Sequence, residues 1–409
     1  VVLYSNELLE VTQFKASFSG IISNQPGLAE QEERTMGDQV LLDQINCNSA
    51  DSLQAQCTDP VFILGIAARC GTNYLHDLIR MHPDCDSGSA VLEEDNLLAN
   101  AHLLTKYVDG VSRWWKQHWG SEELRAEKQA LAQQIGQGLV AFLSAQLERR
   151  KHISGKNDSH GRPQRLVTKT PTVKNLSLFV PMFPTAKLLV LIRDGRSVVE
   201  SAARTFDRPY GHAAREWADS AAIIQDYCKN HLEQPFLLVR YEDLYSNVEK
   251  ELRRIFEYLQ LDADAYDYAG AINLPVRGSS TLRGQPSAHG VPWVAQGIHW
   301  DPVAKPANFN PVERWANWSR AKHERFNWLA GEYLEKFGYT RKTYPGGRLF
   351  WSSWNLMLDA LHADSALWLG RRIRRRLKEV NSMEDFLGVL RLIKRSIIEA
   401  LWERSEFGT

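Results

Sequence analysis

The sequence predicts an α/β protein with a three-layer α/β/α arrangement, in which a central parallel sheet is covered by helices on both faces and followed by a helical C-terminal extension. Two observations carry this. From residue 60 onward, short apolar runs of strand length alternate with segments of helical periodicity. The composition of the 409 residues is also that of a globular chain, with 44% hydrophobic and 24% charged residues. It excludes collagen-like, low-complexity and largely disordered proteins.

Residues 1–58 are polar and weakly periodic and read as a tail or linker, with Met36 a candidate natural start. Val1 in place of a methionine, and the closing Glu406-Phe407-Gly408-Thr409, read as signs of a piece cut from something longer. At Pro60 the character changes. Val61-Phe62-Ile63-Leu64 is a strand, a glycine-containing turn follows, and Tyr74, Leu75, Leu78 and Ile79 recur at helical spacing. Leu131, Ile135, Leu139, Phe142, Leu143 and Leu147 form one stripe of a helix over 122–150. Strands are predicted at 165–168, 187–192 and 236–240, and helices at 197–204, 211–231 and 247–259. The Gly/Pro/Asn-containing stretch from 262 to Pro311 is too long for an ordinary connection and reads as a binding loop or lid. A helix near 312–336 follows, then two more in the last sixty residues. The expected organisation is therefore a tail (1–58), a catalytic domain (59–343) and a helical extension (344–409).

Lys+Arg and Asp+Glu balance at 49 each, so no global basic field argues for nucleic acid, and an anionic ligand must be held by a local site. The cysteines (Cys47, Cys57, Cys70, Cys85, Cys228) show no paired spacing and point to a reducing, cytoplasmic compartment, whereas the Asn-X-Ser sequons at Asn157, Asn175 and Asn317 fit a truncated luminal enzyme instead. No apolar run reaches the ~18 residues needed to span a bilayer.

Gly65-Ile66-Ala67-Ala68-Arg69-Cys70-Gly71-Thr72-Asn73 lies between a strand and a helix, where backbone N–H groups and the helix dipole attract an anion. It is either a phosphate cradle or a plain glycine turn. It is not a Walker A loop, because no Lys-Ser/Thr pair follows Gly71. A second constellation closes the strand at 187–192: Arg193-Asp194-Gly195-Arg196, with Ser201 two helical turns on. Arg193 and Ser201 can converge on one dianionic phosphate at the sheet's C-terminal edge.

These two motifs, in this order, resemble those of the sulfotransferases that use 3′-phosphoadenosine-5′-phosphosulfate (PAPS). That family's 5′-phosphosulfate loop, (Lys/Arg)-Ser-Gly-Thr-Thr, appears here as Arg69-Cys70-Gly71-Thr72-Asn73, with Tyr74 where an aromatic residue often flanks the adenine. Its 3′-phosphate motif appears as Arg193 to Ser201, with Gly195 where proline is usual. Lys169-Thr170 is similar to its Lys-Thr motif, Tyr241-Glu242-Asp243-Leu244 to its Tyr-Glu-Asp-Leu segment, and Arg277-Gly278 lies where the family adds a basic contact to the 3′-phosphate. The resemblance spans roughly 60–340. It implies a P-loop-NTPase-like fold and transfer of a sulfuryl group to a hydroxyl or amine of a small molecule, glycan or carrier-linked acceptor. PAPS is then the donor and its bisphosphate product PAP is released, without a metal.

In-line transfer needs cations on the leaving phosphate, for which Arg69 and Lys169 are the candidates, and a base for the acceptor proton. The histidine that follows Lys-Thr in the phenol and steroid branch is Pro171 here. Other branches use a glutamate after a His-Pro-Asp stretch, so after His82-Pro83-Asp84 the proposed base is Glu93 or Glu94. The other reading of Glu93-Glu94-Asp95 is an exposed helix start. His212 and His299 are weaker acceptor-site candidates, and nine tryptophans from Trp293 onward serve either core packing or an aromatic cleft. The acceptor pocket is expected from loops over 95–120 and 270–310. The run Arg371 to Lys378 and the stripe Phe386, Leu390, Ile393, Ile397 and Leu401 could dock on the catalytic domain or contact a membrane or carrier protein. A P-loop kinase and a non-catalytic nucleotide-binding relative are the competing classes.

Overall fold

The protein was analysed as a computed structural model. The structure describes residues 59–87, 94–115, 121–154, 164–231, 236–279, 294–295, 298–299, 302–307, 309–361, 370 and 373. The chain divides into two units, Val1–Cys57 and Thr58–Thr409, and every described residue belongs to the second. The N-terminal tail, the Arg371–Lys378 run as a whole and the stripe from Phe386 to Leu401 lie outside the described residues.

Five strands form one parallel sheet: β1 (Val61–Gly65), β2 (Cys85–Asp86), β3 (Arg165–Thr170), β4 (Lys187–Ile192) and β5 (Phe236–Arg240), in the order β2-β3-β1-β4-β5. β1 is central and buried along its whole length, as its unbroken apolar run requires of a strand covered on both faces. The register aligns Leu64 with Thr170 on one side and with Val190 on the other, and Ile192 with Arg240. The loops after β1, β3, β4 and β5 therefore emerge at one edge, beside β1, where the strand order reverses.

The helices are α1 (Thr72–Arg80), α2 (Ala101–Ser112), α3 (Ser121–Ser154), α4 (Phe179–Met182), α5 (Gly195–Phe206), α6 (Tyr210–Asn230), α7 (Tyr241–Ser246), α8 (Val248–Leu259), α9 (Tyr268–Ile272), α10 (Arg320–Lys336) and α11 (Arg348–Ala360). α5, α6 and α10 pack on one another, α3 on α2 and α4, and α1 on β3. Trp217 of α6, fully buried, is central to the first group: it contacts Phe326 of α10 and donates its Nε1–H to the carbonyl of Arg193. The same packing explains Gly195, since a Cβ there would come within 2.6 Å of Trp217 and 2.7 Å of Phe326.

Beyond the short elements β2, α4, α7 and α9, which the sequence reading did not include, two segments differ from the sequence expectation. The 95–120 loop contains α2, because Leu98, Ala101 and Val108 share a buried helical stripe. The helix expected from 312 starts only at Arg320, with the hydroxyl of Ser319 capping Lys322 N. Its first eight expected residues are extended or turned because the carbonyls of Pro311 and Val312 accept hydrogen bonds from Arg193 and Ser197 instead. Among the described residues no helix is long and apolar enough to cross a membrane.

Candidate active site

A cavity of about 280 Å³ opens at the C-terminal edge of β1 and β4. The loop after β1 forms its floor. Arg69 and Gly71 both take left-handed backbone conformations, with φ of 78° and 108°, and Gly71 precedes α1, whose N-terminus carries no side-chain cap. Tyr74 N–H donates to Gly71 O at 3.0 Å, while the N–H groups of Thr72 and Asn73 have no acceptor within the helix. Gly71, Thr72, Asn73 and Tyr74 line the cavity. Asn73 Oδ1 is buried without a hydrogen-bond partner. Cys70, by contrast, does not line the cavity: it is fully buried, its N–H closes a turn to Ala67 O, and burial pushes its thiol up to about 11.

Three arginines converge above this floor. Arg69 Nε donates to Ser201 Oγ at 3.4 Å, Arg314 Nη1 donates to the same oxygen at 3.2 Å, and Arg193 Nη1 donates to Arg69 O at 2.8 Å. Arg193 is held over the Tyr241 ring at 4.3 Å, and its Nε is buried without a partner. Burial, followed by repulsion from Arg193 and Arg69, pulls the Arg314 guanidinium down to about 9. Clustered, partly desolvated guanidiniums are costly without an anion to compensate them. The neighbouring acids are engaged elsewhere. Asp194 caps α5 and pairs with Arg196, while Glu242 accepts from Asp194 N at 3.0 Å and from Tyr339 Oη at 2.7 Å.

On the β3 side, Lys169 is almost wholly buried and donates to Glu94 Oε1 at 3.2 Å, and Glu94 lines the cavity. The segment after Glu94 is stitched to β3: Thr168 Oγ1 donates to Asp95 Oδ2, Asp95 N to Lys169 O, and Asn96 N to Thr170 Oγ1. Burial raises the Asp95 carboxyl. Glu93 lies outside the described residues.

The stretch from 262 to 311 doubles back through an antiparallel bridge between Val276 and Val303. Its members Leu274, Val276, Lys305 and Phe309 line the cavity. Arg277 forms a two-point ion pair with Asp77 of α1, and the Gly278 carbonyl accepts from Arg69. Burial works against the Asp77 carboxylate, but hydrogen bonds from His76 and Arg277 hold it below its ordinary range. Tyr74, Tyr241 and Tyr245 form an aromatic wall.

His82 and His212 fall away from the cavity. His82 is a joint, accepting from Asp84 N and bonding Asp262 O at 2.9 Å. His212 is exposed, and His299 lies on β7 (Ile298–His299) of a small hairpin with β6 (Val294–Ala295). Among the described residues no cluster of His, Cys, Asp or Glu could hold a metal ion. The residue that sequence reasoning missed is Arg314. Its one available signal was its place beside the proline that ends the long loop, where a helix was expected.

A sequence profile of the sulfotransferase family matches residues 60–265, and the chain belongs to that family. Its curated relatives include a protein-tyrosine sulfotransferase of Drosophila melanogaster, 24% identical over 63% of this chain and 47% of that protein. Another is protein-tyrosine sulfotransferase A of Caenorhabditis elegans, 24% identical over 63% of this chain and 61% of that one. The chain thus matches about half to three-fifths of the length of these relatives. Among solved structures, the sulfotransferase domain of the Synechococcus PCC 7002 olefin synthase aligns with 70% of this chain and 96% of its own, at 20% identity and a TM-score of 0.40.

Proposed function

We propose that the protein transfers a sulfuryl group from PAPS to a hydroxyl or amine acceptor. The observation that carries this reading is the convergence of Arg69 and Arg314 on Ser201, with Arg193 bonded to the Arg69 carbonyl, beside a glycine loop at a helix N-terminus and an aromatic wall. The residues fit a nucleotide with two separated phosphates. Arg193 Nε is a buried donor in need of a partner, and the depressed Arg314 guanidinium gains from a dianion. In this reading Arg193, Arg314 and Ser201 hold the 3′-phosphate, with Arg277 and Gly278 closing over it. Arg69 and the turn Gly71-Thr72-Asn73 hold the 5′-phosphosulfate, and Tyr74 and Tyr241 flank the adenine.

Glu94 is the base favoured by geometry, with Glu93 as the other candidate. The acceptor oxygen or nitrogen bonds to sulfur as the bond from sulfur to the 5′-phosphate oxygen breaks. The electron pair leaves with that oxygen, which Lys169 and Arg69 stabilise, and the acceptor proton passes to the glutamate. Lys169, paired with Glu94 at 3.2 Å before the donor arrives, orients that carboxylate. The named relatives make a tyrosine hydroxyl the first acceptor to test. Residues 59–343 form the catalytic part in this reading, and the thiols of Cys70, Cys85 and Cys228, free of disulfides, suit a cytoplasmic setting.

Calorimetric titration with PAP, against AMP and ATP with magnesium, tests the donor site. Metal-independent binding of PAP is expected, weakened at least about tenfold by Arg193→Ala or Arg314→Ala, the range for losing a charge-assisted hydrogen bond. Preference for ATP with magnesium would move the protein to the kinase class. With a donor site established, Glu94→Gln should abolish transfer while leaving PAP affinity intact, and unchanged turnover would remove Glu94 from the base role.

A further inference from the structure

Helix α11 faces the reverse of a normal surface helix. At 100° per residue, Leu349, Phe350, Trp354, Leu356, Met357 and Leu361 fall on one side, and all are exposed, from 41% for Met357 to 85% for Leu349. The helix's polar side faces inward. Asn355 is buried and accepts from Arg325, while Asp359 accepts from Arg325 at 2.6 Å, Arg215 at 2.5 Å and Trp328 Nε1 at 2.8 Å. A helix anchored by ion pairs with its apolar side outward leaves that side for another apolar phase.

The charge carried by this part of the sequence points to the phase. Residues 340–378 contain nine lysines and arginines against two aspartates, in a chain balanced at 49 of each sign. Of the cations, Lys342 and Arg348 are exposed beside the N-terminal end of α11, and in sequence six more follow between 371 and 378. Asp359, one of the two acids, is already paired. Docking of an apolar segment of this chain would cover the side chains but leave the cations unused. An anionic lipid surface satisfies both features, taking Trp, Phe, Leu and Met side chains into the headgroup–acyl boundary while its phosphates meet the cations.

We infer that α11 is a membrane-surface docking element that places the protein on anionic bilayers. Sedimentation of the full chain with phosphatidylcholine vesicles, with and without phosphatidylserine, tests this. The protein is expected to pellet with the anionic vesicles, to stay in solution with the neutral ones, and to be released by high salt. Phe350→Glu with Leu356→Glu, both at exposed positions, should lower vesicle partitioning about tenfold or more with an unchanged thermal unfolding midpoint. Absence of wild-type binding to anionic vesicles would overturn the inference, as would undiminished binding by the double variant, which would assign attachment to charge alone. A wild-type dimer that the double variant converts to a monomer, without lipid binding, would make the face a subunit contact and would equally overturn it. None of these readouts requires the nucleotide site.

Discussion

A Cβ on Gly71 would sit 2.5 Å from two ring carbons of Tyr241, and the residue's φ of 108° lies in the left-handed region. The Tyr241 ring in turn supports the Arg193 guanidinium. Gly71→Ala should therefore cost about 1–2 kcal/mol through the backbone alone and also displace Tyr241 and Arg193. A lower urea midpoint together with weaker PAP binding is expected; a variant that unfolds earlier but binds normally would separate the loop from the arginine cluster. At this scale the legible residues were those whose role depends on local chain geometry. Arg69, Gly71, Arg193 and Ser201 announce themselves because each sits at a strand end or helix start in a short motif. Arg314 does not, since its partner Ser201 lies 113 residues away and its neighbours in sequence carry no phosphate signature. Cys70 shows the converse: it belongs to the motif, but its side chain turns into the core.

Elements were legible where an unbroken apolar run marks a strand, as in β1 and β4, or where burial follows the helical period, as in α8. They were misjudged where side chains claim backbone carbonyls, as at Pro311 and Val312, which delays the start of α10. On α10, His323 is fully buried among Trp315, Trp318 and Tyr344, with neither ring nitrogen hydrogen-bonded. Burial, then the charges of Lys342 and Arg196, pushes its imidazole down to about 4. Below the ordinary value of 6.5 the unfolded chain binds a proton that the folded one does not. Stability conferred by the neutral ring is thus complete above that value and falls as pH drops toward the folded pKa. His323→Phe should flatten the fall in unfolding midpoint between about pH 6.5 and 4; a wild-type slope in the variant would show that other groups set it.

At the scale of the whole molecule, the three-layer parallel-sheet fold and the family could be read from two motifs placed on the strand–helix junctions after β1 and β4. The cover of the cavity could be anticipated only as a long loop. Its return path depends on the Val276–Val303 bridge and on Arg193 reaching the Pro311 carbonyl, a contact 118 residues apart in the chain. No local period encodes either contact. The inverted α11 was also hidden, because its composition reads as an ordinary apolar helix until the ion pairs of Asp359 show which side faces inward.

The distant origin of Arg314 has a consequence for how the protein comes into being. Synthesis runs from the N-terminus, and both phosphate motifs have been made before residue 202, yet the third guanidinium and the carbonyl that steadies Arg193 come more than a hundred residues later. On the proposed reading of the site, the nascent chain has a sheet with an unfinished donor site for a long stretch of translation, and that site closes only as the segment around 311–314 leaves the ribosome. Ribosome-bound chains stalled to expose residues up to 300 should bind PAP far more weakly than those exposing residues up to 345. Equal binding by the two would mean that Arg69 and Arg193 suffice.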